Sequence, residues 1–477
     1  MQLTPLPLFF EKRPYLIPLL ISIILFIYKF QYLSYGPYWD ECWVYFPAVK
    51  TMAAVSPTLM PGELDPAVYS GHPLLFLFLS SIWITLFGDS NFAMHLFPLF
   101  VSIGLLFALF YVSKNWFGIK VAAFSTILFS LQAIFISQSS FMLLEVMVGL
   151  FVMLTYYFFL KKSYLAFILC GTLALWTKES AYVLIPALII GATIEFLFFN
   201  KNSRSFLLQI SLIILVFLLG FSFFILQKMN VGWFFFPLHI GYIDLSYSMI
   251  MYKMNGIVDS LFFTQGKTYI TWLGLIGFLV FLIRIKNADQ KHLMYFIYFS
   301  IFVFGFSLFA AINFLSTRYL IAALPFIIIS FVYFISSVFN KKSYNTGVLI
   351  ILCIAQFSAT LASRNNEPYD TEISYIDMVK CHTDMIRYMN DIHIKKDSEI
   401  TTHFLMLGIL SNPSCGYVKE PYTRIQNQPT DSTKYYIFSS IEYDPIYNEY
   451  KEKKSLKLVK KISIGPAWCE LYSQKTF

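Results

Sequence analysis

Apolar runs long enough to cross a bilayer recur almost without interruption from about residue 15 to residue 363, and then stop. A crossing helix needs roughly 20 apolar residues, because the hydrocarbon is about 30 Å thick and every backbone polar group must be satisfied within the helix. The first run, 15–33, follows Glu11, Lys12 and Arg13 and is not followed by a small-x-small cleavage site, which predicts an uncleaved anchor. Beyond 363 the pattern becomes that of a water-facing domain. Residues 376–389 carry apolar positions at helical spacing, while "YYIF" at 435–438, "LKLVKKI" at 456–462 and "WCELYS" at 468–473 read as strands. The pattern predicts an all-α polytopic membrane module over 1–362 and a small C-terminal α/β domain over 363–477.

The basic residues then orient the module. Lys114 and Lys120, Lys161 and Lys162, Lys201 and Arg204, the 284–291 tract, and Lys341 with Lys342 punctuate the apolar runs, and each is expected in the cytoplasm. With a cytoplasmic N-terminus, about eleven spans satisfy these marks. Loops 34–90, 137–141, 177–180, 228–267 and 313–318 then face outward, together with the C-terminal domain. One run, 72–87, does not fit, since a crossing there would carry Lys114 and Lys120 outside. It reads as re-entrant or interfacial, a compensating extra span nearby being the other option.

Composition supports the same class. Of 477 residues, 57% are hydrophobic and 13% charged, and the mean hydropathy is +0.64. Soluble proteins carry about 25% charged residues, so a cytosolic enzyme, a disordered hub and a nucleic-acid binder are excluded. The net charge of +8 is accounted for first by cytoplasmic loops. The six cysteines show no metal-ligand spacing. Cys42, Cys381, Cys415 and Cys469 are expected on the outer side, either bridged or as free thiols.

A charge within the hydrocarbon is costly and marks function by default, so the placement of the scarce ionisable residues is informative. The span interiors hold almost none. Acidic residues collect at the outer ends: Asp40 and Glu41 in "GPYWDECW", Glu63 and Asp65, Glu145 in "SSFMLLEVMVG" and Glu179 in "WTKESAYVLIP". His72, Lys178, His239 and Arg318 share that face. Plainer readings exist for each: a solvated Asp40, Lys178 paired with Glu179 across a tight turn, His72 capping a helix, Arg318 snorkelling from a helix end. The lysines at 451, 453, 454, 457, 460 and 461 read as a solvated strand face, with contact to anionic lipid as the alternative. An ion-coupled transporter keeps its carboxylates near the midplane. An inert middle with a reactive outer rim points instead to an enzyme opening at the outer leaflet, whose activated substrate arrives dissolved in the membrane.

These segments, in this order, resemble membrane glycosyltransferases of the GT-C superfamily. The acidic pair after the first span, "HPL" before "LFGDSNFAMHLFP", the acid at a later span's mouth, "TKES…LIP" and "RYLIAALP" look most like the protein O-mannosyltransferase and aminoarabinose transferase (ArnT-like) group over roughly 30–340. The resemblance implies transfer of a sugar from a polyprenyl-phosphate carrier to a lipid, glycan or protein acceptor at the outer face of the cell (inner or plasma) membrane. By position, Asp40 would be the catalytic base, Glu41 its neighbour in the motif and Glu145 the second-loop acid. His72, Lys178, Glu179, His239 and Arg318 would form the substrate and phosphate site. Leu74 replaces the second proline of the family's "HPP", and Glu145 stands where many relatives have aspartate. No cofactor or metal is required, because phosphate is already a good leaving group, although the carboxylates could hold a divalent cation. A lipid-linked glycan flippase or exporter, a catalytically silent scaffold and an oligosaccharide transferase of the same superfamily are the competing readings.

Overall fold

The computed structural model describes residues 12–284, 290–338, 342–441 and 456–474. Glu11, Lys341, Lys451, Lys453, Lys454 and most of the 284–291 tract lie outside them.

The membrane module consists of α1 (Leu16–Phe30), α2 (Phe46–Val55), α3 (Leu75–Phe87), α4 (Asn91–Phe117), α5 (Ile119–Ser130), α6 (Glu145–Leu160), α7 (Tyr164–Thr177), α8 (Leu184–Phe198), α9 (Ser203–Val231), α10 (Lys267–Arg284), α11 (Gln290–Ile312), α12 (Leu324–Val338) and α13 (Lys342–Ala362). Among the described residues, six helical stretches are both long and apolar enough to cross a membrane. Several of the helices are cut short at one end. The 3₁₀ turn Glu179–Val183 precedes α8, another at Thr317–Ala322 precedes α12, and α6 starts at Glu145. Non-helical backbone at membrane depth is tolerated where protein buries it or a cavity adjoins it. These irregular ends carry the charged residues that the sequence is expected to place at one rim.

The anomalous run at 72–87 contains a helix of 13 residues, α3. At 1.5 Å per residue it reaches only about 20 Å, short of the hydrocarbon thickness. It packs against α2 and α4. The turn between α4 and α5 is made by Gly118 at φ +89°, a conformation that side-chain-bearing residues avoid.

Close helix approach depends on missing side chains. A Cβ on Gly274 of α10 would lie 2.4 Å from the Phe331 ring, and one on Gly277 would lie 2.7 Å from the Phe334 carbonyl carbon of α12. Without a hydrophobic drive between helices in lipid, such backbone contact is a main source of cohesion.

The C-terminal domain is a five-stranded sheet in the order β2-β1-β3-β5-β4, from β1 (Ile400–Thr401), β2 (Ile425–Gln426), β3 (Tyr435–Ser439), β4 (Leu456–Ile464) and β5 (Ala467–Gln474). Helix α14 (Tyr375–Asp391) covers it with buried Met378, Cys381, Met385 and Met389. The three strands expected from alternation are β3, β4 and β5, and they pair antiparallel. Lys457, Lys460 and Lys461 are exposed on the edge strand β4, where charge discourages further strand pairing. All six cysteines are free, so the domain contains no bridge.

A second apolar core lies under this domain, joining Tyr38, Phe46, Met142, Tyr375, Met385 and Tyr422. Tyr417 donates to the Pro37 carbonyl at 2.9 Å, and Lys50 donates to that of Ser414 at 2.9 Å. The outer domain is therefore seated on the first large loop.

Gly277→Val is expected to lower unfolding stability by about 1–3 kcal/mol, because the backbone of α12 must move. A melting curve of the detergent-solubilised protein indistinguishable from wild type would show that α10 and α12 separate at no cost.

Candidate active site

Asp40 lies where the chain is least regular. Trp39 has φ +55°, and Glu41–Tyr45 forms a π-helical turn. Left-handed backbone at a non-glycine residue costs about 1–2 kcal/mol, and single π turns cluster at functional positions. This irregular turn aims adjacent carboxylates in different directions.

Asp40 meets the guanidinium of Arg318 through Nη2. The same guanidinium binds Asp370 through Nη1 at 2.5 Å, and its Nε lies 3.5 Å from Glu145 Oε1. Lys178 Nζ donates to that Glu145 oxygen at 2.8 Å and sits 3.8 Å from the centre of the Tyr319 ring. Arg318, Glu145, Lys178 and Asp370 are buried, whereas the Asp40 side chain is 28% exposed.

The local backbone explains the pairing. Lys178 is extended, at φ −159° and ψ 145°, between α7 and the following 3₁₀ turn. Its side chain and that of Glu179 therefore diverge, and the expected Lys178–Glu179 pair is replaced by Lys178–Glu145. Arg318, expected by the plainer reading to snorkel, is instead 3% exposed among three carboxylates. Burial favours the neutral form of Lys178, but Glu145 outweighs it and the net direction of its pKa is up. For Arg318 burial is likewise overridden, by Asp40 and Asp370. Asp370 is pushed above the usual carboxylate range by burial, against the pull of Arg318.

A second cluster adjoins the first across Tyr45, whose ring stacks on that of His72 at 6.4 Å and whose hydroxyl is pushed up by burial and by Glu145 and Asp40. His72 Nδ1 donates to Glu179 Oε2 at 2.9 Å, and His239 Nδ1 lies 3.7 Å from Glu179 Oε1. The two imidazoles are 4.8 Å apart. Gly71 makes this convergence feasible: its φ is +67°, and a Cβ there would lie 2.5 Å from Phe236 Cβ. Burial and the neighbouring His72 bring His239 down to about 4, so it is neutral at neutral pH. One ligand atom from each of His72, Glu179 and His239 lies within 4.8 Å of the others, close enough to hold a divalent cation.

Glu41 departs from the expected catalytic role. It is fully buried, and its oxygens accept from the backbone N–H of Tyr38 at 2.9 Å and of Met142 at 2.5 Å. His95 Nε2 lies 3.3 Å away, and its Nδ1 donates to the Leu33 carbonyl at 2.9 Å. Glu41 thus ties the first loop to residues 138–145 and faces away from the rim. Glu145 has one oxygen without a hydrogen-bond partner, and the void beside it admits no water molecule. Glu63 and Asp65 take no part in either cluster.

Two participants were missed from sequence. Asp370 follows the last span in "EPYDTE", where it reads as a solvated acid of the outer domain. Lys29 sits in the last turn of α1 yet is fully buried, donating to the Ser137 carbonyl at 3.3 Å and Tyr375 Oη at 3.2 Å. An acid shortly after the final apolar run was the available signal for Asp370, shared with Glu367 and Glu372; nothing but a lysine slightly inside a span marked the other.

A bundle with helices cut short at one end, a soluble domain seated there and an acid–base cluster beneath it define a GT-C-type multi-pass membrane protein. Among solved structures, the chain is similar to ArnT from Cupriavidus metallidurans bound to undecaprenyl phosphate, with a TM-score of 0.59 at 12% identity, covering 95% of this chain and 97% of that one. The apo form of the same protein gives 0.58 at 11% identity, over 97% and 98%. The family described as dolichyl-phosphate-mannose-protein mannosyltransferase matches residues 71–233. No curated protein matches the chain by sequence. The chain has the ArnT-like GT-C fold, and within it residues 71–233 match that mannosyltransferase family.

Glu41→Ala strands two buried N–H groups and is expected to cost about 2–4 kcal/mol of stability, more than Asp40→Asn at its half-open position. Equal losses in chemical denaturation would erase this division between a structural and an accessible carboxylate.

Proposed function

We propose that the protein transfers a sugar from a polyprenyl-phosphate carrier to an acceptor hydroxyl or phosphate at the outer face of the cell membrane, in a single displacement with inversion. The observation that carries this reading is the unequal exposure of the carboxylates on Arg318: Asp40 is 28% exposed, against 3% for Glu145 and 7% for Asp370. Asp40 is then the base that takes the acceptor proton. The acceptor oxygen attacks the anomeric carbon as its proton passes to Asp40, the bond from that carbon to the phosphate oxygen breaks, and the polyprenyl phosphate departs from the opposite side.

Arg318 serves this step differently from the phosphate clamp that the sequence suggests. Both Nη atoms are occupied by carboxylates, so the guanidinium holds Asp40 aimed, acting as a positioning residue. Glu145 is too enclosed to touch a sugar and acts through Lys178 and Arg318, whose charges it balances. The departing phosphate falls to His72 and His239, whose rings reach the rim. Glu179 holds His72 by Nδ1, and in the imidazolium form its Nε2–H donates to the phosphate. Donors preorganised where negative charge develops lower the barrier without reorganisation. The ArnT structure with undecaprenyl phosphate supports a carrier of that class. The carrier's apolar tail would lie against lipid-facing helix surfaces while its head enters the rim.

Asp40→Asn is expected to retain undecaprenyl phosphate binding and to lose transfer by about 10²–10⁴-fold. The assay is release of polyprenyl phosphate and labelled product in proteoliposomes supplied with lipid-linked sugars extracted from the source cells. Near-normal turnover would reject Asp40 as base. Movement of the lipid-linked sugar across the bilayer without release of polyprenyl phosphate would favour a flippase instead. Arg318→Ala should lose transfer to a similar extent; unchanged kinetics would reduce Arg318 to a structural cation.

A further inference from the structure

Next to the Arg318–Asp370 pair lies a chamber of about 420 Å³. Thr317 and Leu320, beside Arg318, form one wall, and Thr371 and Glu372, directly after Asp370, form another. The segment 260–267, leading into α10, closes it. The proposed transfer step uses none of these side chains.

The lining is costly to maintain. Lys267 is 3% exposed, and among the described residues its ammonium makes one hydrogen bond, at 3.4 Å to Gln265 Oε1. Gln265 Nε2 donates to Glu372 Oε1 at 2.6 Å, and Asn366 donates to the other Glu372 oxygen at 3.3 Å. An ammonium with three donors is thus left largely unsatisfied and lines open space. A half-satisfied polar network is less stable than an apolar filling of the same shape.

The backbone is also constrained to present this lining. Gln265 has φ +53°, in the left-handed region, and Gly266 follows at φ +87°. Gln356 of α13 donates to the Gln265 carbonyl at 2.8 Å, and a Cβ on Gly266 would lie 2.5 Å from Ala359 Cβ. The turn is clamped against α13 in a conformation that ordinary side chains avoid. Strain that the surroundings over-determine in this way is found at ligand sites.

We infer that this chamber binds a neutral sugar ring of the acceptor, beside the Asp40–Arg318–Asp370 group; as acceptor site it rests on the transfer reaction proposed above. The amides of Gln265 and Asn366, the hydroxyls of Ser260, Thr264 and Thr317, and the Lys267–Glu372 charges alternate donors with acceptors, as adjacent sugar hydroxyls require. The volume falls within the roughly 300–1,000 Å³ of small-ligand pockets. A lipid chain is disfavoured because its burial would leave these polar groups unpaired. A phosphate is disfavoured because Lys267 is offset by Glu372, with Asp370 two residues before it.

The test uses the full-length protein in nanodiscs and saturation-transfer NMR with methyl mannoside, methyl N-acetylglucosaminide and methyl galacturonide, alongside a separate measurement of undecaprenyl phosphate binding. At least one neutral glycoside should receive saturation. Lys267→Gln and Glu372→Gln should each weaken that binding by about tenfold, and Ser260→Trp, which removes no charge and fills the space, should abolish it. Undecaprenyl phosphate affinity should stay at the wild-type value in all three variants, and the carrier should not displace the glycoside. The inference is overturned if neither neutral glycoside binds the wild type, if Ser260→Trp binds as well as wild type, or if undecaprenyl phosphate displaces the sugar. Glycoside binding by a wild type that fails to bind undecaprenyl phosphate would count against the transfer reaction and support the chamber as a sugar site.

Discussion

A single guanidinium buried among three carboxylates is the constraint around which the outer half of this protein is arranged. Arg318 comes from the turn before α12, Asp40 from the first loop, Glu145 from the mouth of α6 and Asp370 from the linker to the outer domain. An isolated ion at this depth would cost several kcal/mol even after relaxation. Each carboxylate therefore holds its own segment against the others. Helix ends, the irregular first loop and the position of the soluble domain all answer to this one charge.

The same economy extends outward. Lys178 balances Glu145, Glu179 balances His72, and Glu41 satisfies backbone donors that would otherwise be stranded. Nearly every ionisable group of the rim thus has a neighbour of opposite character. Among the three carboxylates on Arg318, Asp40 stands apart in keeping both a strong ionic partner and access to the surroundings. That combination is what the proposed general base needs: aimed before the substrate arrives, and reachable once it does. The unwound helix ends are the structural counterpart, since regular helices would turn these side chains away from one another.

Much of this was legible in the chain. The apolar runs marked the helices, β-branched and aromatic alternation marked β3, β4 and β5, and outward-placed charge marked Asp40, Glu145, Lys178, Glu179, His72, His239 and Arg318, which the fold gathers into two adjoining clusters. Roles were less legible than membership. Glu41 reads as reactive beside Asp40 because sequence adjacency does not reveal a π turn that sends two neighbouring carboxylates in opposite directions. Lys178 and Glu179 read as a pair because nothing in "TKES" announces an extended residue between two helical turns. Asp370 went unnoticed because its partner lies 52 residues earlier in the chain.

The sequence alone determined which segments belong in lipid, where the chain leaves it, and that the scarce ionisable groups gather at one rim. Those properties follow from transfer energies and charge, which each residue carries wherever it is placed. Which carboxylate faces which cation, which acid stays open and where a polar chamber forms depend on distances between segments remote in sequence. Electrostatic and hydrogen-bond energies fall steeply with separation and burial. Such pairings acquire a value only once packing has brought the segments together.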